Sequence, residues 1–140
     1  MSVLKIEDIP TSGQSLQMIS LPKTFLTDSK DWKITIDSYQ LLEERNLQFT
    51  LFVENLQEKV DKCKIADITF LVDNANNKYY RQPFISPEGY KEFTPHMSAK
   101  FYVTFPEVDE RAEAVTLYLS FKSYEKINEG LIIGPLKIGK

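Results

Sequence analysis

A single cysteine, Cys63, and a single histidine, His96, are all that a chain of 140 residues offers toward thiol and imidazole chemistry. One cysteine excludes an internal disulfide and any multi-cysteine metal site, and it fits a reducing compartment. One histidine is too few for a zinc centre unless carboxylates supply the remaining ligands. The five glycines are scattered, so no Gly-rich loop is present to cradle phosphate. Neither charge sign dominates: the formal net charge is −3. Without a basic cluster there is no footprint for a phosphate backbone, which predicts no nucleic-acid partner. No apolar run is long enough to span a bilayer. The first residues, Met1-Ser2-Val3-Leu4-Lys5-Ile6-Glu7-Asp8, lack the basic and then apolar regions of a signal peptide. The expected location is cytoplasmic, or exported if a leader has been removed.

What the chain does have is core material. Hydrophobic residues make up 42% and aromatics 12%, which argues against disorder. The length suits one domain with a few tens of residues left over. Apolar residues recur at every second position, the period of a half-buried strand. Trp32, Ile34 and Ile36 alternate with Lys33, Thr35 and Asp37; Leu47, Phe49, Leu51 and Val53 alternate with Gln48, Thr50 and Glu54. Ile68, Phe70 and Val72 read as an inward set, as do Phe101, Val103 and Phe105, and Val115, Leu117, Leu119 and Phe121. A helix would need spacings of three and four.

Turn chemistry separates the runs. Asn74-Ala75-Asn76-Asn77 predicts a hairpin, because Asn tolerates positive φ. Ser86-Pro87-Glu88-Gly89 reads as a second turn, and Gly134-Pro135 as a bend or an edge mark in the last strand. Strands are expected near 32–40, 46–55, 66–73, 78–83, 99–106, 114–122 and 131–138. This pattern predicts an all-β immunoglobulin-like sandwich of about seven antiparallel strands over residues 31–140. Residues 1–30 read as an N-terminal segment, either a linker or an added edge strand. Two stretches have helical potential: the run from Asn55, with Leu56, Val60 and Cys63 at helical spacing, and Glu107 to Glu113.

The order of features resembles that of uncharacterised bacterial immunoglobulin-like domains often found in exported lipoproteins. A strand ends in Asn at Phe52-Val53-Glu54-Asn55. Phe70-Leu71-Val72-Asp73 leads into an Asp-centred turn, and Phe101-Tyr102-Val103-Thr104-Phe105-Pro106 supplies a strand ending in Phe-Pro. The resemblance covers residues 32–138 and implies the sandwich fold. That group has no shared catalytic motif, so no functional residue is implied. Its members are usually exported or lipid-anchored, whereas this sequence shows no lipid-attachment cysteine near its start.

Candidate sites divide into chemical and surface ones. His96, in Thr94-Pro95-His96-Met97, reads as a loop histidine. Cys63, flanked by Lys62 and Lys64, reads as a structural thiol rather than a nucleophile. Glu107, Asp109, Glu110 and Glu113 share one loop, but no spaced Asp-x-Asp pattern appears and Arg111 intrudes. Solvated charge is therefore favoured over calcium. No cofactor and no enzyme activity are expected. On strand parity, Phe52, Leu71, Tyr102, Tyr118 and Ile132 face away from the core. Such a set marks an interface, or needs a cover from Leu16, Met18, Ile19, Leu21, Phe25 and Leu26. The function expected is a non-enzymatic protein-interaction module, binding a protein partner or a second copy through a sheet face or edge strand. The alternative is a small-ligand or carbohydrate-binding domain using Tyr79, Tyr80, Arg81, Phe84 and Tyr90.

Overall fold

The computed structural model describes residues 3–4, 21–79, 84–124 and 128–138. Twelve strands run through them: β1 (Val3–Leu4), β2 (Lys23–Leu26), β3 (Trp32–Leu41), β4 (Leu47–Asn55), β5 (Asp61–Ile65), β6 (Phe70–Asp73), β7 (Lys78–Tyr79), β8 (Phe84–Ser86), β9 (Lys91–Phe93), β10 (Ser98–Phe105), β11 (Ala114–Ser123) and β12 (Asn128–Lys137). The helical content of the described residues is one 3-10 turn at Glu43–Arg45. One sheet, here sheet A, has the order β1-β12-β11-β5-β9, with β6 pairing β11 farther along and β7 pairing β6. Sheet B has the order β2-β3-β4-β10-β8. The fold is therefore an all-β, immunoglobulin-like sandwich. Apart from the parallel β1–β12 contact, its pairings are antiparallel.

The alternation in the sequence appears directly as alternating burial. β4 is buried at Leu47, Phe49, Leu51, Val53 and Asn55 and half-buried between them. β10 and β11 repeat the pattern at Phe101, Val103 and Phe105, and at Leu117, Leu119 and Phe121. The two inner faces meet in a core dominated by Trp32, Phe49, Phe93, Phe101, Phe105 and Phe121. Trp32 of sheet B meets Phe93 and Phe121 of sheet A edge-on, with centroids 5.3 and 5.5 Å away. Each such side chain contributes roughly 1.5–3 kcal/mol by leaving water.

Each of the seven expected strands has a counterpart, and five short ones are added. β1 and β2 come from the N-terminal segment and are edge strands of sheets A and B. The helix expected after Asn55 is absent: residues 56–60 cross between the sheets and Asp61–Ile65 is strand β5, because Asp61, Cys63 and Ile65 bury at a period of two. Residues 107–113 form a turn, not a helix. In β12, Gly134 stands at φ +151, and a Cβ there would sit 2.8 Å from Thr116 Cα. The β11–β12 register slips opposite it, between Val115 and Leu117, so the glycine admits a close backbone approach at a bulge.

The largest correction concerns β6. Its inward residues are Leu71 and Asp73, with Thr69 buried just before them, whereas Ile68, Phe70 and Val72 point out. Leu71, expected on an outer face, is fully buried. Thr69 and Asp73 can be buried because both are satisfied. The Thr69 hydroxyl accepts the Ser120 N–H at 3.0 Å.

Two polar residues close the strand ends. Asn55, fully buried at the end of β4, donates from Nδ2 to the carbonyls of Lys59, Phe93 and Thr94. Its Oδ1 accepts from the Gln57 N–H and Nε2. Asn55 thus ties together two chain crossings between the sheets, residues 56–60 and 94–97. Asp73 closes the β6–β7 hairpin: Oδ1 accepts the N–H groups of Ala75 and Asn77, and Oδ2 accepts from Asn77 Nδ2 and Tyr79 Oη. Asn76 takes positive φ, as the turn reading requires.

Candidate functional site

The outer face of sheet A is built by the outward positions of β5, β6, β11 and β12. Register places Phe70 and Ile132 on either side of Tyr118. The Phe70 and Tyr118 rings stack at 4.6 Å with an interplanar angle of 5°. With Ile68, which is 65% exposed, they line a shallow groove of about 270 Å³ whose walls also include Ser120, Asn128 and Gly130. Farther along the same face, Lys64 lies opposite Lys122, and Tyr90 and Tyr124 meet edge-on at 5.7 Å. Lys64 Nζ sits 4.9 Å above the Tyr90 ring and Lys62 Nζ 5.5 Å above Tyr124. At the other end, Lys78 Nζ lies 5.4 Å from the Phe70 ring.

The outer face of sheet B differs. Phe52 and Tyr102 lie on β4 and β10, and the Lys100 ammonium reaches over both rings. Beside them Phe84, exposed on β8, and Tyr102 flank a groove of about 410 Å³ lined by Gln48, Thr104, Ser86 and Glu88. The five residues expected on one outer surface are therefore distributed three ways. Tyr118 and Ile132 belong to sheet A, Phe52 and Tyr102 to sheet B, and Leu71 to the core. Phe70 takes the place that Leu71 was expected to fill.

The expected cover divides as well. Phe25 turns into the core from β2, Leu26 is exposed, and Leu21 packs against the core margin. Leu16, Met18 and Ile19 lie outside the described residues. Of the expected ligand set, Tyr80 and Arg81 also lie outside them. Tyr79 is committed internally: its hydroxyl donates to Asp73 and accepts the Asp109 N–H at 3.0 Å. Phe84 lies on β8 of sheet B and Tyr90 just ahead of β9 of sheet A, so these two do not share a face.

The chemical candidates are held in structural contacts. His96 occupies a turn at φ +64, and its Nε2 lies 2.7 Å from Glu58 Oε2, both side chains well exposed. Arg111 grips Asp109 through Nε and Nη2, and these bonds pull its carboxyl down to about 2. Arg45 meanwhile holds the carbonyls of Val108 and Asp109. Among the described residues no cluster of His, Cys, Asp and Glu could hold a metal. Glu129, whose carboxyl burial pushes up, accepts the Asp28 N–H and joins β12 to the β2–β3 turn. Cys63 is fully buried; burial, and then the charge of Asp61, push its thiol well above the usual range. A thiol so placed forms little thiolate. Native protein should accordingly resist Ellman's reagent at neutral pH and react fully in urea. Rapid reaction of the folded form would show that this strand opens.

No helix among the described residues is long and apolar enough to cross a membrane. No protein-family model and no curated protein sequence matches the chain. Among solved structures it is similar to the ASH / PapD-like domain 7 of human CEP192, with 10% identity, a TM-score of 0.45, and coverage of 94% of this chain and 99% of that one. It is also similar to an uncharacterised β-sandwich protein from Clostridium difficile 630, at 12% identity and a TM-score of 0.45, covering 89% and 100% of the two chains. At this distance the likeness transfers no functional residue.

Proposed function

We propose that this chain is a non-enzymatic protein-interaction module that binds a protein partner or a second copy through the outer face of sheet A. The observation that carries the reading is the groove at Ile68, Phe70, Tyr118 and Ile132. There an apolar floor stands on the solvent side of a sheet whose other side is already packed. Contiguous apolar surface of this kind on a folded domain marks an interaction site. His96 and Asp109, each bonded to a neighbouring side chain, and the buried Cys63 are scattered, which supports the non-enzymatic part, since catalysis needs groups that converge.

The test is the double substitution Tyr118→Ser with Ile132→Ser. The melting temperature should change by only a few degrees, because half-exposed groups contribute a fraction of the roughly 1.5–3 kcal/mol of a fully buried one. Self-association in light scattering, or capture of a protein partner, should be lost. Unchanged association together with unchanged capture would remove the support for this reading.

A second reading rests on the sheet B groove. Two aromatic rings, Phe84 and Tyr102, beside the polar groups of Gln48, Thr104, Ser86 and Glu88 form a stacking surface with hydrogen-bonding rims. A small polar ligand such as a carbohydrate would suit it. Calorimetric titration with soluble oligosaccharides, repeated on Phe84→Ala, tests it directly.

A further inference from the structure

The charge on the outer face of sheet A runs against that of the whole chain. Its outward ionisable residues on β5, β7, β9 and β11 are Lys62, Lys64, Lys78 and Lys122, with one carboxylate, Glu92, which lies opposite Lys62, while the chain as a whole carries −3. Lys64 and Lys122 are directly opposite each other on neighbouring strands. Like charges in that arrangement destabilise a sheet. Among the described residues no ion pair engages any of the four lysines. Each of Lys62, Lys64 and Lys78 instead rests on an aromatic ring, which holds the ammonium at the surface of the face.

From this juxtaposition we infer that the partner of this face is an acidic peptide segment carrying an apolar anchor. The apolar side chain occupies the groove at Ile68, Phe70, Tyr118 and Ile132, and carboxylates lie over Lys64 and Lys122, which face each other with no carboxylate opposite either. The inference rests on the proposed function and names the chemistry of its partner. Tyr118 and Lys122 are four residues apart on β11, so the anchor and the carboxylates are separated by about 13 Å, at about 3.3 Å per residue. Single-stranded nucleic acid fits less well. The groove walls include aliphatic Ile68 and Ile132 rather than rings alone, and base stacking needs aromatic platforms. Arg45 and Arg111, moreover, are engaged with the loop around Asp109, away from this face.

The experiment selects a random peptide library on the full chain, on Lys64→Gln/Lys122→Gln and on Tyr118→Ser/Ile132→Ser. A synthetic peptide of the enriched sequence and oligo(dT) are then titrated by fluorescence anisotropy. The full chain should enrich peptides that join Asp or Glu to Leu, Phe or Trp. The lysine variant should bind the peptide about tenfold more weakly, as expected when charge complementarity is removed, and the groove variant should not bind it measurably. Raising salt on the unsubstituted protein should weaken binding in the same direction, a readout that needs no variant to fold. Neutral peptides lost with the groove variant but indifferent to the lysine variant and to salt would overturn the acidic partner and leave the groove reading standing. Selected peptides indifferent to the groove variant would overturn both. A chain that enriches no peptide, or that binds oligo(dT) with the same lysine dependence, also overturns the inference.

Discussion

Replacing Asn55 by Leu should cost the domain about 3 kcal/mol, lowering its melting temperature by roughly 10 °C. The side chain is fully buried and reaches three carbonyls and two donors. Leucine has the same branching and number of heavy atoms and leaves no cavity, so the expected loss is not a cavity effect. It comes from orphaning the carbonyls of Lys59, Phe93 and Thr94 where water enters poorly. Because those carbonyls belong to both crossings at one end of the sandwich, the substitution should also loosen β9 and the start of β5. Hydrogen exchange would register this as faster exchange at Cys63 and Phe93 than at Leu51. A urea midpoint within error of the unsubstituted protein would show that the two crossings are held by the core alone.

Asp73→Ala should destabilise by a similar amount, about 3 kcal/mol at neutral pH, since it removes a buried, charged acceptor of several hydrogen bonds. Its pH dependence separates this effect from simple loss of packing. Burial pushes the Asp73 carboxyl up, but the hydrogen bonds from Asn77, Tyr79 and Ala75 outweigh it and hold the group below its ordinary value. An acid whose folded pKa is depressed contributes stability above its unfolded pKa, about 4, and loses it as pH falls through the folded value. The gap between the Asp73→Ala variant and the parent protein should therefore be full at pH 7 and shrink below about pH 4. A gap that stays constant down to pH 2 would assign the effect to packing. Part of the loss should be visible at a distance: Tyr79 joins Asp73 to the Asp109 N–H, so the loop at 107–113 should gain mobility.

Both residues were visible in the sequence as the ends of strands, Asn55 closing one alternating run and Asp73 opening a turn. Their partners were not visible. Lys59, Phe93 and Thr94 meet Asn55 through chain crossings whose position depends on how the two sheets stack. Short strands escaped for a related reason. β2, β8 and β9 have too few residues to show a period, and the helical spacing of Leu56, Val60 and Cys63 masked the alternation of β5. All four exist because a longer neighbour offers them a hydrogen-bonding edge.

The sequence by itself determined the strands long enough to alternate: β3, β4, β10 and β11 follow from Trp32 to Ile36, Leu47 to Val53, Phe101 to Phe105 and Val115 to Phe121. It also determined the hairpin at Asn74 to Asn77. In each case the physics is local, a period of two or a residue that tolerates positive φ. The tertiary structure decided which face of β6 is inside. Hydrophobicity points Ile68, Phe70 and Val72 inward, yet the core takes Thr69, Leu71 and Asp73, because the Ser120 amide and the hairpin donors satisfy the two polar groups. The apolar residues displaced outward then join Tyr118 and Ile132, and register across β5 and β11 sets Lys64 beside Lys122. A rule that buries apolar side chains fails where the solvent face is itself apolar, and the candidate binding face lies at that failure.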